Sequence, residues 1–377
     1  MIGWLVVAPI GLVIGAISWY VRVFQVVIFL SSAGLRRWLF SSRPGGPARR
    51  SRDWPQGARP IISTPPLNAA VLISYHPEYH QFDPGMAIAS LKACVELGVG
   101  WLRTDIRWNE LIPDGTHCDP KALEWYRSYL SAASDYGLRN MVVLATPPRS
   151  VLRQQSRGRL DAWGQFVRLV TGELGTLCGG YQLMNEPNNP IYGFFPPHDC
   201  ATAVIEGASV IRSSHPAASV AVNISMDIWG WRKYLCDLLH SSATAVDLIG
   251  LDHYPGTWTI GRNAHWDAAV DIADEIASAT PASIWFNRHL AIMETGYSTN
   301  TPLRSDNEQI GYFRGVQQVV ARINSKPSRT LPLFGIYELC DGNSRALLDP
   351  EAHFGVMTSD FRPKAAFAPV AQMITTL

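Results

Sequence analysis

The sequence lacks the short motifs that mark several large enzyme classes. It contains no GxSxG nucleophile elbow, no HExxH zinc motif, no phosphate-binding loop and no Rossmann glycine fingerprint. These absences argue against a serine esterase, a zinc protease, a P-loop NTPase and a dinucleotide-dependent oxidoreductase. No CxxC pair or Cys/His ligand spacing connects the six cysteines, so we predict neither a metal site nor a cofactor.

Charge is also scarce. Only 17% of the 377 residues are charged, and the formal net charge is +1. No basic stripe interleaved with aromatic residues lies in the globular part, so we expect no nucleic-acid partner. Aromatic residues are plentiful, with 13 each of Trp, Tyr and Phe. Sugar rings stack their C–H faces on aromatic planes, which makes this composition suggestive of a glycan ligand, although most such rings belong to a protein core.

The N-terminal segment is apolar. No charged side chain occurs in Met1–Val21, and a second apolar run, Val23–Leu30, follows Arg22. About 20 apolar residues suffice to span a bilayer. We therefore predict that residues 1–40 form a hydrophobic membrane anchor, either one transmembrane helix or a monotopic hairpin bent at Pro9 or Arg22. A cleaved signal peptide fits less well, because the run lacks a basic start and a small-residue cleavage site.

Residues 41–66 are rich in Arg, Pro, Gly and Ser without apolar periodicity, which predicts a solvated linker. From residue 67 to residue 377, apolar strand-like runs alternate with stretches of helical spacing. The eight apolar runs are Ala69–Ser74, Gly100–Thr104, Asn140–Leu144, Tyr181–Met184, Val220–Asn223, Leu248–Leu251, Leu290–Met293 and Leu333–Tyr337. The helical stretches are Pro84–Leu97, Pro120–Tyr136, Asp161–Leu174, Asp199–His215, Trp231–Ser241, Trp266–Ala279, Ser305–Asn324 and Pro363–Thr376.

This alternation predicts an α/β fold. Strands that are apolar throughout and separated by single helices indicate parallel pairing beneath a layer of helices. Eight such units close as a (β/α)8 TIM barrel, which we predict for residues 67–377 as the catalytic domain. An open doubly wound sheet is the alternative.

Two glutamates stand at strand ends. Glu186 follows the fourth strand in Asn185-Glu186-Pro187, and Glu294 ends the seventh. Catalytic groups in this architecture sit at the C-terminal ends of the strands, and the tips of the fourth and seventh strands face each other across the barrel mouth. Two inward glutamates there can reach the separation of about 5–5.5 Å that a retaining glycosidase needs. The sequence therefore predicts an acid and a nucleophile for cleaving a sugar acetal.

Residues near the ends of neighbouring strands are predicted to determine which glutamate acts as the acid and which as the nucleophile. Arg103 and Tyr254, near the second and sixth tips, are placed to hydrogen-bond Glu294 and hold it ionised, as a nucleophile requires. The charge of Glu294 would then raise the pKa of Glu186, which suits a general acid. Asn185 is placed to donate to a substrate hydroxyl. A purely structural ion pair is the alternative for Arg103.

Four further side chains at the strand tips are candidate substrate contacts. His253 adjoins Tyr254, and a satisfied core histidine is the equal alternative. Trp108 and Trp258 are candidates for stacking on sugar, with packing in the core or at the rim as the alternative. Tyr337, at the end of the eighth strand, completes this set.

Three segments together resemble the clan A glycoside hydrolases, with features of families 39 and 5. They are Met184-Asn185-Glu186-Pro187, Met293-Glu294-Thr295-Gly296 and Asp252-His253-Tyr254-Pro255. The segments Trp101–Trp108 and Asp349–Phe367 extend the resemblance over nearly all of residues 67–377. The placement of Asn-Glu-Pro at a fourth strand, with a glutamate at the seventh, is far more specific than the tripeptide alone.

The resemblance implies roles for single residues. It implies Glu186 as acid/base, Glu294 as nucleophile, Asn185 as the contact to the 2-hydroxyl, and Arg103 and Tyr254 as supports. It also implies retention of anomeric configuration and no required metal. Many members carry a tryptophan at the eighth strand where this chain has Tyr337, so the shape of that sugar subsite does not follow from the resemblance.

We therefore predict a membrane-anchored retaining glycoside hydrolase that cleaves O-glycosidic bonds of a polysaccharide or oligosaccharide by double displacement. The anchor suggests a glycan made or exported at the same membrane, with the synthesis or export machinery as a partner. Two alternatives stay open. One is a catalytically silent glycan-binding barrel at such a complex, and the other is a transglycosylase, in which a sugar accepts the intermediate instead of water.

Two features of the sequence give opposite predictions for the side of the membrane on which the catalytic domain lies. Seven arginines lie within or after the apolar segment and none precedes it, so the positive-inside rule favours a cytoplasmic catalytic domain; they are Arg22, Arg36, Arg37, Arg43, Arg49, Arg50 and Arg52. A polysaccharide substrate favours the opposite, extracytoplasmic side.

Overall fold

A computed structural model describes Trp54 and residues 67–242, 244–258, 290–300, 303–325, 331–343 and 349–377. The predicted anchor, the rest of the predicted linker and the predicted helix at Trp266–Ala279 lie outside the described residues. The ring of Trp54 lies 6.1 Å from that of Trp125 and 6.2 Å from that of Tyr129, so the predicted solvated linker contacts the barrel at this point. Within the described ranges, no helix is long and apolar enough to cross a membrane.

Eight parallel strands close into a barrel, as the alternation of strands and helices predicts. The first strand pairs with the last, Leu72 opposite Gly335, which excludes the open doubly wound sheet. The strands are β1 (Asn68–Ser74), β2 (Val99–Arg107), β3 (Arg139–Ala145), β4 (Gly180–Leu183), β5 (Ser219–Ser225), β6 (Leu248–Asp252), β7 (Leu290–Thr295) and β8 (Phe334–Ile336).

The sequence pattern predicts six helices between the strands within the described ranges, and all six are present. In chain order the helices are α1 (Pro84–Leu97), α2 (Trp108–Leu111), α3 (Pro120–Asp135), α4 (Arg149–Leu152), α5 (Ser156–Leu174), α6 (Pro197–Ser214), α7 (Trp231–Ser242), α8 (Asp306–Asn324) and α9 (Phe367–Thr376). Short 3-10 turns cover Pro77–His80, Gly175–Leu177 and Pro350–His353.

Local chemistry fixes where several helices begin. Asp83 and Asp119 each precede a proline and accept hydrogen bonds from backbone N–H groups of the first turn of α1 and α3. Ser305 and Glu308 form a reciprocal capping box at the start of α8. Such caps satisfy N–H groups that have no partner within the helix, and each contributes about 1 kcal/mol.

The last helix begins later than its sequence pattern predicts, at Phe367 instead of Pro363. Met357 pairs with Pro363 in an antiparallel bridge, and Lys364 N donates to Val356 O at 3.0 Å. Because these contacts hold residues 363 and 364 in an extended hairpin, helical structure starts only after them.

The barrel interior has an apolar lower part and a polar upper part. Seven buried apolar residues fill the lower part: Leu72, Trp101, Met141, Ala221, Ala291, Met293 and Leu333. Above them, Arg103 extends from β2 to Gln182 of β4 and Glu294 of β7, which is possible only across the barrel interior. The polar layer therefore lies at the C-terminal ends of the strands, where this architecture holds its reactive groups.

Candidate active site

Glu294 lies near the end of β7 and is held by two side chains from other parts of the barrel, Arg103 in the middle of β2 and Tyr254 just beyond the end of β6. Arg103 Nη2 donates to Glu294 Oε1 at 2.5 Å, and the Tyr254 hydroxyl donates to Oε2. Burial and the negative charge of Glu294 raise the pKa of Tyr254 well above its usual value, so the phenol keeps its proton. The carboxylate of Glu294 thus accepts hydrogen bonds from a cation and from a hydroxyl group.

Arg103 is fully buried and every part of its guanidinium has a partner. It donates to Gln182 Oε1 at 2.8 Å, to Ser74 Oγ at 3.1 Å and to Asn185 Oδ1 at 3.0 Å, besides Glu294. Burial acts to lower the pKa of Arg103, but the nearby carboxylates, Glu294 first, outweigh it and raise this pKa. Arg103 therefore stays charged and compensates the buried negative charge of Glu294.

Glu186 lies three residues beyond β4 in a constrained turn. Its backbone has a φ of +40°, in the left-handed region that non-glycine residues enter at a cost of about 1–3 kcal/mol. Its backbone N–H donates to Asn223 Oδ1 at 2.8 Å, and Asn189 Nδ2 donates to Glu186 Oε2 at 2.7 Å. Both contacts fix the direction of the side chain at the barrel mouth.

The environment of Glu186 favours its protonated form. Burial, and after it the negative charge of Glu294, raises the pKa of Glu186 from the ordinary 4.5 to about 8. The hydrogen bond from Asn189 opposes this rise without cancelling it. The two glutamates at the barrel mouth therefore differ in their surroundings, because Glu294 is paired with Arg103 and Tyr254 while Glu186 is in an environment that favours its proton. Different environments for two carboxyl groups are the pattern that separates an acid from a nucleophile.

The two carboxyl groups are close together. Oxygen atoms of Glu186, Glu294 and Asp252 lie within 4.8 Å of one another. This proximity matches the short separation of retaining glycosidases, and not the 6.5–9.5 Å or so of inverting ones. Asp252 is fully buried, accepts from Asn223 Nδ2, and has its pKa raised well above the usual value by burial and by the two glutamates.

The same three carboxyl groups, and a second group formed by His76, Glu78 and Asp105, have spacings at which a metal ion can be held. In the first group, Arg103 already pairs with Glu294, and the raised pKa values of Glu186 and Asp252 favour protonated groups. That arrangement suits proton transfer better than cation binding. The prediction that no metal is needed remains a prediction.

Asn185 connects the two glutamates. Its Oδ1 accepts from Arg103 Nη2 at 3.0 Å, from Asn223 Nδ2 at 2.9 Å and from Gln182 Nε2 at 3.2 Å. Because three donors converge on the oxygen, the amide nitrogen is turned away from them, and the residue is only partly buried. Asn185 thus has a donor available at the mouth, where the sequence predicts a contact to a substrate hydroxyl.

His253 serves the local structure of the site. Its Nδ1 donates to Asp227 Oδ1 at 2.7 Å, and Asp227 Oδ2 accepts from the backbone N–H of Tyr254 at 2.8 Å. The backbone oxygen of His253 accepts from Thr295 Oγ1 at 2.9 Å. These bonds hold the chain on both sides of Tyr254, so His253 positions the tyrosine that contacts Glu294.

An aromatic cluster of Tyr254, Trp258, Tyr337 and Phe354 adjoins Glu294. Tyr337 lies edge-on to Tyr254, with ring centroids 5.5 Å apart, and donates its hydroxyl to Glu351 Oε1 at 2.9 Å. Two predicted substrate contacts, Tyr337 and Trp258, are thus placed beside the nucleophile candidate.

A cavity of about 190 Å³ lies next to this cluster, between the loops that follow β1, β2 and β8. Its lining includes Glu78, Tyr79, Arg107, Asn343 and Glu351.

Trp108 does not lie in the site, which corrects the interpretation of this residue as a substrate contact. It is 1% exposed, and its ring stacks on Phe166 of α5 at a centroid distance of 4.8 Å, with Trp163 and Phe194 close by. Trp108 begins α2, which directs its ring outward into the helical layer. Its alternative interpretation, packing in the core, is the correct one.

The sequence predicts no role for five residues of the site: Gln182, Asn189, Asn223, Asp227 and Asp252. Gln182 carries a recognisable signal, because it is the one polar side chain inside the apolar run of β4. Asn189 and Asp227 lie in loops, where sequence spacing does not show which side chain they meet.

Comparisons with known proteins place the fold among glycosidase barrels. No family profile and no curated protein matches the sequence. Among solved structures, the chain is similar to a family 1 β-glucosidase from Thermotoga maritima, at 12% identity and a TM-score of 0.63 over 83% of this chain and 99% of that one. It is also similar to β-glucosidase 1317, at 17% identity and a TM-score of 0.59 over 79% and 88% of the two chains.

A family 39 glycoside hydrolase from the gut symbiont Bacteroides cellulosilyticus WH2 is similar as well. Its identity is 16% and its TM-score 0.56, over 82% of this chain and 64% of that one. These neighbours have clan A barrels, so the resemblance seen in the strand-tip segments is confirmed at the level of the fold. At such identities the likeness establishes the fold and leaves the activity to the residues of the site.

Proposed function

We propose that this chain is a retaining glycoside hydrolase that acts on an oligosaccharide or polysaccharide, with Glu294 as nucleophile and Glu186 as acid/base. One observation carries the proposal. Two carboxyl groups lie within 4.8 Å of each other at the barrel mouth, one paired with Arg103 and Tyr254, the other with its pKa raised to about 8. Double displacement needs this combination of a carboxylate and a carboxylic acid.

In the first step, Glu186 donates its proton to the glycosidic oxygen while a carboxylate oxygen of Glu294 attacks the anomeric carbon. The bond from that carbon to the leaving oxygen breaks, and a glycosyl ester on Glu294 forms. The leaving sugar departs with the proton of Glu186. Arg103 and Tyr254 hold the attacking carboxylate in place, and Asn185 is positioned to donate to the 2-hydroxyl of the reacting sugar.

In the second step, Glu186 acts as a base. Esterification removes the negative charge of Glu294, and this charge is the second cause of the raised pKa of Glu186. The pKa of Glu186 therefore falls, so its carboxylate form is stable enough to take a proton from water. The water oxygen attacks the anomeric carbon, the ester bond breaks, and the sugar leaves with its original configuration.

The test uses a panel of 4-nitrophenyl glycosides and natural polysaccharides. Glu294→Gln should abolish turnover with its fold intact, because the amide cannot form the ester. Glu186→Ala should keep activity on aryl glycosides, whose leaving groups need little acid. Azide should accelerate this variant, because the anion attacks the anomeric carbon of the glycosyl ester without a base, forming a glycosyl azide and releasing the carboxylate of Glu294. Undiminished turnover by Glu294→Gln would end the assignment of the nucleophile, and an absence of azide rescue would count against Glu186.

Both alternatives are separable from hydrolysis. A silent glycan-binding barrel has no need of two ionisable groups in a buried position, where each costs free energy unless it is compensated; turnover of any panel substrate excludes it. A transglycosylase uses the same residues, so product analysis at high acceptor concentration distinguishes it by the appearance of longer glycans.

We also propose membrane attachment through residues 1–40 and, with it, a glycan made or exported at that membrane. The uncharged run Met1–Val21 supports this proposal. Charge asymmetry and substrate class still favour opposite sides. Protease accessibility of the barrel in sealed cells decides between them, and recovery of the full chain in the aqueous fraction after lysis would contradict attachment.

A further inference from the structure

Trp229 is almost completely exposed. Its exposure is 98%, while the other two exposed large apolar side chains in the described ranges, Leu152 and Ile205, are exposed by 44% and 41%. An apolar side chain left in water contributes little to folding. The reason for a tryptophan at this position therefore has to be sought outside the packing of the barrel.

The loop that carries Trp229 is fixed to the candidate active site. It joins β5 to α7, and two residues before Trp229, Asp227 binds both His253 and the backbone N–H of Tyr254. Ile228 packs against the aromatic cluster beside Glu294. After Trp229, the turn closes at Gly230, with a φ of +85° and a hydrogen bond from Trp231 N to Ile228 O at 3.2 Å. Trp229 is thus presented at the barrel mouth by an anchored loop.

The start of this loop adjoins the acid. The side chain of Ser225 hydrogen-bonds Glu186, and the negative charge of Asp227 contributes to the raised pKa of Glu186. Asn188 joins the two loops, because its side chain donates to Ser225 O at 2.7 Å and accepts from Ser225 N at 2.9 Å. A general acid protonates the leaving oxygen, so the sugar units on the leaving side pass this part of the mouth.

We propose that Trp229 is a stacking platform for a sugar unit of the glycan on the leaving side of the cleavage point. The assignment of Trp229 to the leaving side rests on the proposed function, because the position of the general acid defines that side. The occupant is a sugar because the exposed apolar surface of this loop is essentially one ring: Ile228 and Trp231 are partly buried against apolar clusters, and Gly230 and Arg232 complete the neighbourhood in sequence. One ring is far smaller than the several hundred Å² typical of a protein-binding patch. An indole face matches the C–H face of a single pyranose.

Binding is measured first, without turnover. The full chain carrying Glu294→Gln is run in native gels that contain barley β-glucan, xylan, galactomannan or chitosan. We expect at least one polysaccharide to retard the protein, and adding Trp229→Ala to weaken the apparent affinity at least about tenfold, as for a buried aromatic anchor. Trp229→Phe should restore part of the retardation, because it restores a ring.

The matched control is Ile205→Ala in the same background, since Ile205 is an exposed apolar residue on α6, and it should bind as the parent does. Thermal unfolding should be unchanged by Trp229→Ala. The platform is refuted if none of the polysaccharides retards the protein, if Trp229→Ala migrates like its parent, or if Ile205→Ala loses as much retardation.

The two proposals fail in different ways. If the unmodified chain hydrolyses no glycoside but its retardation depends on Trp229, the platform stands and the hydrolase proposal falls. If the unmodified chain hydrolyses glycosides and Trp229→Ala does not change the retardation, only the proposal that Trp229 is a stacking platform is refuted.

Discussion

The raised pKa of Glu186 gives the most demanding test of the site. Burial and the charge of Glu294 raise this pKa from 4.5 to about 8, a difference worth about 5 kcal/mol at 1.36 kcal/mol per pH unit. With the oxygen atoms within 4.8 Å and an effective dielectric constant of about 20, two unit charges repel by about 3 kcal/mol. That repulsion corresponds to about two pH units, and burial is the larger cause of the rise.

Glu294→Gln removes the repelling charge and should therefore lower the pKa of Glu186 by about two pH units. The release of Arg103 from its pair acts in the same direction, because a nearby cation also favours the carboxylate. ¹³C NMR titration of glutamate side-chain carboxyls measures the change, with the Glu186 signal assigned by its disappearance in Glu186→Gln. In the unmodified enzyme, kcat/KM should fall as pH rises through about 8, where the acid loses its proton.

Asn189→Ala provides a control of opposite sign. Asn189 Nδ2 donates to Glu186 Oε2 and lowers the pKa of Glu186, so its removal should raise that pKa further. The reasoning is refuted if Glu186 titrates near 4.5 in the unmodified protein, or if Glu294→Gln leaves its pKa unchanged. A general loosening of the barrel mouth would instead shift the pKa of Glu186 in the same direction in both variants, so measuring both variants would detect it.

Three further predictions concern stability, each measured by urea unfolding. Arg103→Met should destabilise the fold by about 3–5 kcal/mol, because it leaves the Glu294 carboxylate buried without its cation. Gly335→Ala should lose several kcal/mol or fail to fold, since the added Cβ would lie 1.9 Å from a backbone oxygen of β7, whereas Gly311→Ala, which meets no atom within 4 Å on α8, should gain up to about 1 kcal/mol. Ser305→Ala should cost about 1 kcal/mol by removing the cap of α8.

The strand order and the glutamate pair were predictable from the sequence because each rests on a local pattern. A continuous apolar run shows a buried parallel strand without reference to its neighbours. Once eight such strands close, every strand end lies at the same mouth, so Glu186 and Glu294 meet although 108 positions separate their numbers in the chain. Closure of the barrel therefore converts a pattern along the chain into proximity in space.

The hydrogen-bond network was not predictable, because it depends on register and loop shape. Trp108 and Trp258 both follow strands closely in sequence, yet one turns outward with α2 while the other joins the aromatic cluster by the mouth. The difference arises in the turn after each strand. Trp258 follows a turn closed by its N–H donating to Tyr254 O at 3.0 Å, whereas Trp108 starts a helix directly.

Asn185 shows why the two glutamates can share one mouth and still differ. Arg103 divides its donors between Glu294 and the Asn185 oxygen, while Asn223 divides its own between Asn185 and Asp252 and accepts from the Glu186 backbone. The cation is thereby held on the Glu294 side, and Glu186 is hydrogen-bonded by neutral groups, the amides of Asn189 and Asn223 and the hydroxyl of Ser225. A site with the guanidinium midway between the carboxyls would ionise both and leave no acid. The neutral amides of Asn185 and Asn223 thus help to keep the surroundings of Glu186, the candidate acid, different from those of Glu294, the candidate nucleophile.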